Sequence, residues 1–468
     1  MKQLLKAFSV VALSGAMAMT VRADNTTTTT ATTATTATTS SEMDGAPDAK
    51  DTKDLKKVIQ DQGINFVETA QKGITLSGYV DTSYTEQFAG KGEYAANISD
   101  LAGNTNVPNP GTGPANTHAA LRQFDTSNNT FNINAVKIAL EQALPDKNEW
   151  AAGFRVDTIY GEDARYLGDS ALNGGSSSYD GGLNNSGLAL EQALVKFRVP
   201  VGNGLDFYVG KFVTLLGYEV IESPANLNFS RGLLFTNLIP LTNTGVYADY
   251  KFNDTVEAKF GVVDGWNNST SGSSGVDNTY GNNSSSSFGK ALTGQLNINA
   301  PGKNANITQS FIYSPDGEPG VVGESVAPVA VYDIWGNWNP TFIKDSNLLL
   351  GFNGDLGTED GASFYGLALY SQYKFSKVFN LSGRAEYIHD DASGTDAKFG
   401  EGGYFNSAGT FVPEAQDDYS YTLTASFNIW DNLLTRVEYR IDDVSGNSNG
   451  TGHTSIQNEI SLNAVYSF

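Results

Sequence analysis

The chain has 468 residues, 51 acidic against 29 basic, a net charge of −22, 50 glycines and no cysteine. This balance excludes the basic surface that phosphate binding needs, so no nucleic-acid partner is expected. The missing cysteines exclude disulfides, thiolate metal sites and cysteine nucleophiles.

Residues 1–23 read as a secretory signal. Lys2 and Lys6 precede the apolar run Ala7 to Val21, and Val21-Arg22-Ala23 has the small-x-small form of a cleavage site. The run is shorter than the ~20 apolar residues of a spanning helix. Removing this segment takes Lys2, Lys6 and Arg22 with it, and the net charge moves from −22 to −25. Residues 24–49 open with a Thr/Ala tract that cannot bury a core and read as a flexible linker. Residues 50–72 carry a partial helical stripe of Leu55, Val58, Ile59, Phe66 and Val67, interrupted by Gly63, which predicts a short amphipathic helix.

From Ile74 the pattern changes to period two. Tyr419, Tyr421, Leu423, Ala425 and Phe427, for example, alternate with Ser420, Thr422, Thr424 and Ser426. Sixteen such segments are predicted: 74–86, 130–143, 149–160, 189–199, 205–213, 244–252, 256–264, 288–298, 306–313, 329–338, 347–354, 363–375, 380–389, 418–430, 433–441 and 456–468. Their connections alternate short and long, the contrast vanishing only between 339–346 and 355–362. Short periplasmic turns and long extracellular loops produce this rhythm, and a soluble sandwich has no reason to keep it. No later segment is apolar and long enough to cross a bilayer as a helix, so residues 73–468 predict an all-β fold, a transmembrane antiparallel β-barrel of about 16 strands. Lipid then faces the apolar side of each strand. The C-terminal set Ile460, Leu462, Ala464, Tyr466 and Phe468 ends on an aromatic, as outer-membrane barrels do.

One connection stands apart. Residues 213–246, between the fifth and sixth strands, hold Leu215, Leu216, Tyr218, Phe229, Leu233, Leu234, Phe235 and Ile239. A loop this apolar is an aggregation liability if exposed, which predicts folding into the barrel. A lid or a subunit contact is the alternative. Its charged residues Glu219, Glu222 and Arg231 are expected at the water path. By strand parity Arg155, Asp157, Glu257, Lys259, Arg384, Glu386, Arg436 and Glu438 point into the lumen, as a mixed-sign lining or as braces of the wall.

Catalysis has little to stand on. His118, His389 and His453 fall in or beside long loops without a nucleophile signature, and the glycine pairs lack the helix of a phosphate cradle. Asp390-Asp391 and Asp442-Asp443 lack a calcium-site spacing and read as solvated loop acids. No catalytic residue, metal or cofactor is expected.

The layout resembles that of general trimeric porins, in which the third long loop narrows the barrel. The runs Gly210-Lys211-Phe212, Leu216-Gly217-Tyr218-Glu219-Val220, Asn228-Phe229-Ser230-Arg231 and Pro240 to Val246 look like the signature of the OmpL-like β-barrel porins. These resemblances imply a pore in the outer membrane of a Gram-negative-type bacterium, in contact with outer-membrane lipid and passing small hydrophilic solutes, with a homotrimer as the implied assembly. The expectation is passive diffusion. A substrate-selective channel, marked by stacked lumenal aromatics, and a structural or adhesive barrel are the alternatives.

Overall fold

Alternation of apolar and polar side chains becomes, in the computed structural model, a ring of antiparallel strands. The structure describes residues 73–89, 122, 124, 129–167, 187–266, 290–315, 328–343, 347–359, 361–391, 403–405, 411–413, 415–446 and 453–468. The expected signal, linker and amphipathic helix, and His118, lie outside these residues.

The ring contains β1 (Ile74–Ala89), β2 (Thr130–Gln142), β3 (Ala151–Tyr160), β4 (Leu188–Val199), β5 (Leu205–Val213), β6 (Thr242–Lys251), β7 (Val256–Val263), β8 (Ala291–Asn299), β9 (Ala305–Ser314), β10 (Val329–Trp338), β11 (Leu348–Glu359), β12 (Ala362–Lys374) and β13 (Phe379–Asp390), then β16 (Gln416–Trp430), β17 (Leu433–Gly446) and β18 (His453–Ser467). The three-residue strands β14 (Gly403–Phe405) and β15 (Phe411–Pro413) form a separate hairpin within one long connection. Apart from the β9–β10 seam, each ring strand pairs with its neighbours in chain order along the ring, and β1 pairs with β18. At the seam of β9 and β10, Tyr332 donates to Gln309 Oε1 at 2.8 Å and the Asn339 N–H to the Asn304 carbonyl at 2.9 Å. The result is a closed barrel of 16 strands, the expected number and fold class.

Short connections gather at the end where the chain enters β1 and leaves β18. Asn253 makes one of them, its Oδ1 accepting the N–H groups of Thr255 and Val256 at 2.8 and 2.9 Å, as an Asx turn does. One expected loop is corrected. Residues 355–362 are not a long connection: β11 runs on to Glu359, with Asp355, Leu356 and Gly357 paired to Gly366, Tyr365 and Phe364. Gly354 and Gly357 imitate loop composition, but a side-chain carbon at Gly357 would stand 2.1 Å from the Phe364 ring. The aromatic ring covers the glycine across the rung and holds the pairing.

The outer surface carries exposed Leu76, Val80, Phe131, Leu369, Tyr421, Leu423 and Leu462, whereas the intervening residues are buried and mostly polar. This is the inside-out pattern of a barrel in lipid. Register shifts interrupt it at four places, and two of them are β-bulges that change what faces inward. Asn134 is the extra residue opposite Asp81/Thr82, and Glu191 the extra residue opposite Asp157/Thr158. Each reverses the parity of its strand, so Glu191 and Gln192 both come to lie buried inside.

Candidate functional site: a loop seated on the barrel wall

Between β5 and β6 the chain turns inward and forms a small core of its own. Leu215, Leu216, Tyr218, Ile221, Phe229, Leu233, Leu234, Phe235, Leu238 and Ile239 are all buried. Glycine notches in the wall receive this core. A side-chain carbon at Gly351 would lie 2.8 Å from the Tyr218 hydroxyl, and one at Gly366 would lie 2.8 Å from Leu238 Cδ1. Any larger residue would push the loop away. Over the first notch Tyr218 stacks on Tyr370 with ring centroids 4.1 Å apart.

Polar groups of the wall take up the loop's backbone, which must find partners once water is gone. Glu438 accepts the Phe229 and Ser230 N–H groups at 2.6 and 2.9 Å. Arg384 donates to the Ser230 carbonyl at 2.6 Å, Arg436 to the Ser223 carbonyl at 2.9 Å and Arg440 to the Arg231 carbonyl at 2.7 Å. On the far side Gln295 and Ser310 donate to the Leu215 carbonyl at 2.6 and 2.9 Å, while Asp333 and Asn353 accept the N–H groups of Gly217 and Tyr218 at 3.1 and 2.9 Å. The short helix Leu233–Asn237 leaves its first N–H groups open. Glu219 accepts from the Gly232 N–H and Glu386 from the Leu234 N–H. Negative carboxylates suit a helix N-terminus.

The three loop charges divide. Glu219 and Arg231 were expected at the water path, and the structure corrects this: they are 4% and 3% exposed. Glu219 pairs with Arg384 at 2.7 Å, and Arg231 pairs with Asp163 at 2.6 Å and lies 4.6 Å over the Phe124 ring. An ion in a dry site needs a partner within contact distance, and the wall supplies it. Glu222 alone keeps water contact, with its side chain 20% exposed. It is bound by Lys137, which also pairs with Asp157 at 3.1 Å and Glu191 at 2.7 Å. Burial pushes the Glu222 carboxyl up, but the Lys137 ammonium and then Arg155 outweigh it and hold it below the usual carboxylate range.

Of the expected lumenal charges, Asp157, Arg384, Glu386, Arg436 and Glu438 are buried against the loop and wall, whereas Arg155, Glu257 and Lys259 are half-buried. Arg155 binds Asp157 at 2.8 Å and Glu141 at 3.3 Å, and Glu141 also binds Lys196. Lys259 lies 3.5 Å from Glu257. Acids and bases thus alternate as pairs along β2, β3, β4 and β7. Asp157, Glu191 and Glu222 have the geometry of a metal-binding group, with ligand oxygens within 4.8 Å of one another, but the Lys137 ammonium sits among them.

Two further corrections concern acids expected to be solvated. Asp390 ends β13 and Asp442 lies within β17, both fully buried. Asp442 pairs with Arg122 at 2.6 Å and Arg440 at 2.8 Å. The strands run further than the sequence pattern suggests, and their inward positions continue with them. Arg122, Lys137, Glu141 and Glu191 were not singled out from the sequence. Lys137 and Glu141 share one face of β2 and were open to a parity count. Glu191 was hidden by the bulge. His389 Nδ1 donates to Asp417 Oδ1 at 2.8 Å, a contact at the barrel's rim.

A closed ring of strands, apolar outside and filled with paired charges inside, defines a membrane β-barrel of the channel class. The family profile described as "Putative beta-barrel porin-2, OmpL-like" matches residues 73–468, and the chain belongs to that family. Its members are outer-membrane porins, channels and not enzymes. Among solved structures, the chain is similar to the outer membrane channel DcaP of Acinetobacter baumannii, with 10% identity, 85% of this chain and 99% of that chain covered, and a TM-score of 0.50. It is similar to OprB of Pseudomonas putida with 13% identity, 87% and 97% covered, and a TM-score of 0.52. These likenesses concern the fold. No curated protein matches the chain.

Proposed function

We propose that the protein is a passive pore for small hydrophilic solutes, narrowed by residues 213–246. The observation that carries this reading is the seating of the loop. It is bound along β13 and β17 through Arg384, Arg436, Glu438 and Arg440, and across on β8–β11 through Gln295, Ser310, Asp333 and Asn353. The half-buried charges Glu141, Arg155, Glu257 and Lys259 lie elsewhere, on β2, β3 and β7, and Glu222 at the loop's edge reaches β2 through Lys137. Solutes would pass between that edge and this charged wall. Because the charges are compensated pairwise, selectivity would be weak, with a cation preference set by the acidic excess and fading as salt screens it.

The folded protein in planar bilayers tests the reading. Stable ohmic steps are expected, and larger steps after deletion of Glu222 to Asn237. Correctly folded barrels without conductance would refute the pore; a folded deletion variant with unchanged steps would refute the narrowing.

One observation favours a substrate-selective channel. Tyr208 and Tyr247 stack across β5 and β6 with centroids 4.5 Å apart and planes 6° apart. Phe212 packs edge-on against Tyr247 at 4.7 Å, so the pair offers a single contact and not a track. Saturable block of the current by a sugar would establish the selective reading.

A further inference from the structure

Asp333 on β10 and Asp355 on β11 are directly opposed in the ladder. They are 0% and 1% exposed. No lysine or arginine compensates either of them among the described residues. Asp333 is fully engaged: one oxygen accepts the Gly217 N–H at 3.1 Å and the other the Asn353 side-chain amide at 2.7 Å. Asp355 receives no donor at either oxygen.

Two ionised carboxylates cannot share a dry site without a counter-charge, because burial and like-charge repulsion both disfavour the second charge. Either a cation or a proton must resolve this. The donor set is against a metal. Both Asp333 oxygens already accept N–H groups, as does Asn353 Oδ1 from Tyr218 at 2.9 Å. Asp355 alone remains, far short of the about six to eight oxygens that calcium takes. A proton on Asp355 needs one acceptor, and Asp333 lies within hydrogen-bonding reach.

We propose that Asp333 and Asp355 share one proton, carried by Asp355, and that this proton keeps the loop segment Leu215–Tyr218 on the wall. The ionised Asp333 anchors the Gly217 N–H, and the neutral Asp355 beside it lets that charge persist. Loss of the proton leaves two opposed carboxylates in a site sealed by the loop. Water reaches them only when the segment lifts. The seated form binds the proton, so seating is complete on the acid side and is lost as pH rises. Above the transition the lifted fraction grows about tenfold per pH unit.

Neighbouring groups leave this assignment intact. Around the segment beside the pair, Ser310 of β9 and Gln295 of β8 hold the Leu215 carbonyl, Asn353 of β11 bridges Asp333 and the Tyr218 N–H, and Asn337 and Trp335 of β10 and Tyr370 of β12 contact the Tyr218 side chain. The loop adds Tyr218 and Glu219, and β13 adds Arg384 and Glu386. Among these the carboxylates Glu219 and Glu386 are each bound by Arg384, at 2.7 and 2.8 Å.

The inference rests on the seating of the loop and not on what crosses the pore, so its test is not a current. The chain has no cysteine, and Leu216→Cys therefore places a single thiol beneath the segment. The full-length protein, folded in lipid vesicles, is labelled with a maleimide from neutral to alkaline pH. Rates are normalised to the unfolded protein at each pH, which removes the thiol's own ionisation. With Asp355 present the normalised rate should climb steeply, towards about tenfold per pH unit. Asp355→Asn keeps the shape and a donor but cannot ionise, and its profile should be flat. Asp333→Asn removes the like-charge repulsion but keeps the buried Asp355, so its profile should level off at a lower pH than the parent's. Parallel profiles in the three backgrounds, or a flat profile with both aspartates present, would overturn the proposal. Should Leu216→Cys fail to fold, Thr214→Cys at the half-buried start of the segment gives the same readout.

Discussion

Glu438 holds the internal loop by two of its backbone N–H groups. Its carboxylate accepts the Phe229 N–H at 2.6 Å, the Ser230 N–H at 2.9 Å and the Thr424 hydroxyl at 2.6 Å. Glu438→Leu keeps roughly the same volume and removes both acceptor oxygens, and with them all three hydrogen bonds. A hydrogen bond to a charged group contributes about 1.5–3 kcal/mol, so the two backbone bonds together contribute about 3–6 kcal/mol to seating. At ~1.4 kcal/mol per factor of ten, the lifted population should rise by at least about 100-fold. Glu438→Gln retains one good acceptor and should lose about half of this free energy. The ladder of the barrel does not pass through this side chain, so β-content should stay the same. Single-channel recordings supply the assay. Glu438→Leu should add brief, larger openings to the wild-type step, and Glu438→Gln fewer of them. A folded Glu438→Leu barrel whose current trace matches wild type would show that Glu438 does not hold the loop.

Lys137→Met removes the ammonium set among Asp157, Glu191 and Glu222, leaving Arg155 on Asp157 as the one cation paired with the three, and the under-compensated carboxylates should then recruit calcium. Added calcium should raise the thermal unfolding midpoint of the variant and not of wild type; an equal rise in both would count against the geometry. Glu222 is held below its ordinary range, so its contribution is complete above a carboxylate's usual pKa of about 4.3 and is lost as pH falls through the lowered value. With rates normalised to the unfolded protein at each pH, Ala225→Cys should therefore label relatively faster in strong acid, and the normalised rate should be independent of pH when Glu222→Gln is added; an acid-independent normalised rate in the parent would contradict this. Gly366→Val places its branch where Leu238 and Leu234 now stand, 2.8 and 2.9 Å from the added carbon. Overpacking of this kind costs about 1–3 kcal/mol, and the helix Leu233–Asn237 should be displaced, read as larger conductance with unchanged strand content.

The sequence by itself determined the barrel. Strand segments of period two, an apolar outer face and the rhythm of short and long connections follow from local rules, because backbone groups in lipid must pair strand to strand. It also marked residues 213–246, since a loop rich in Leu and Phe needs a surface to bury itself on. The wall that receives the loop was not legible. Gly351 and Gly366 look like weak strand residues until Tyr218 and Leu238 fill their notches. Glu219 and Arg231 look like lumenal charges until Arg384 and Asp163 meet them across more than sixty positions of chain. Glu191 enters the lumen only because a bulge shifts its strand by one residue, and Asp355 faces Asp333 only because β11 continues through glycines. Parity assigns a side chain to a face of the sheet. Which partner it meets there depends on register, bulges and the path of the loop through the barrel, and these are settled by contacts between distant parts of the chain.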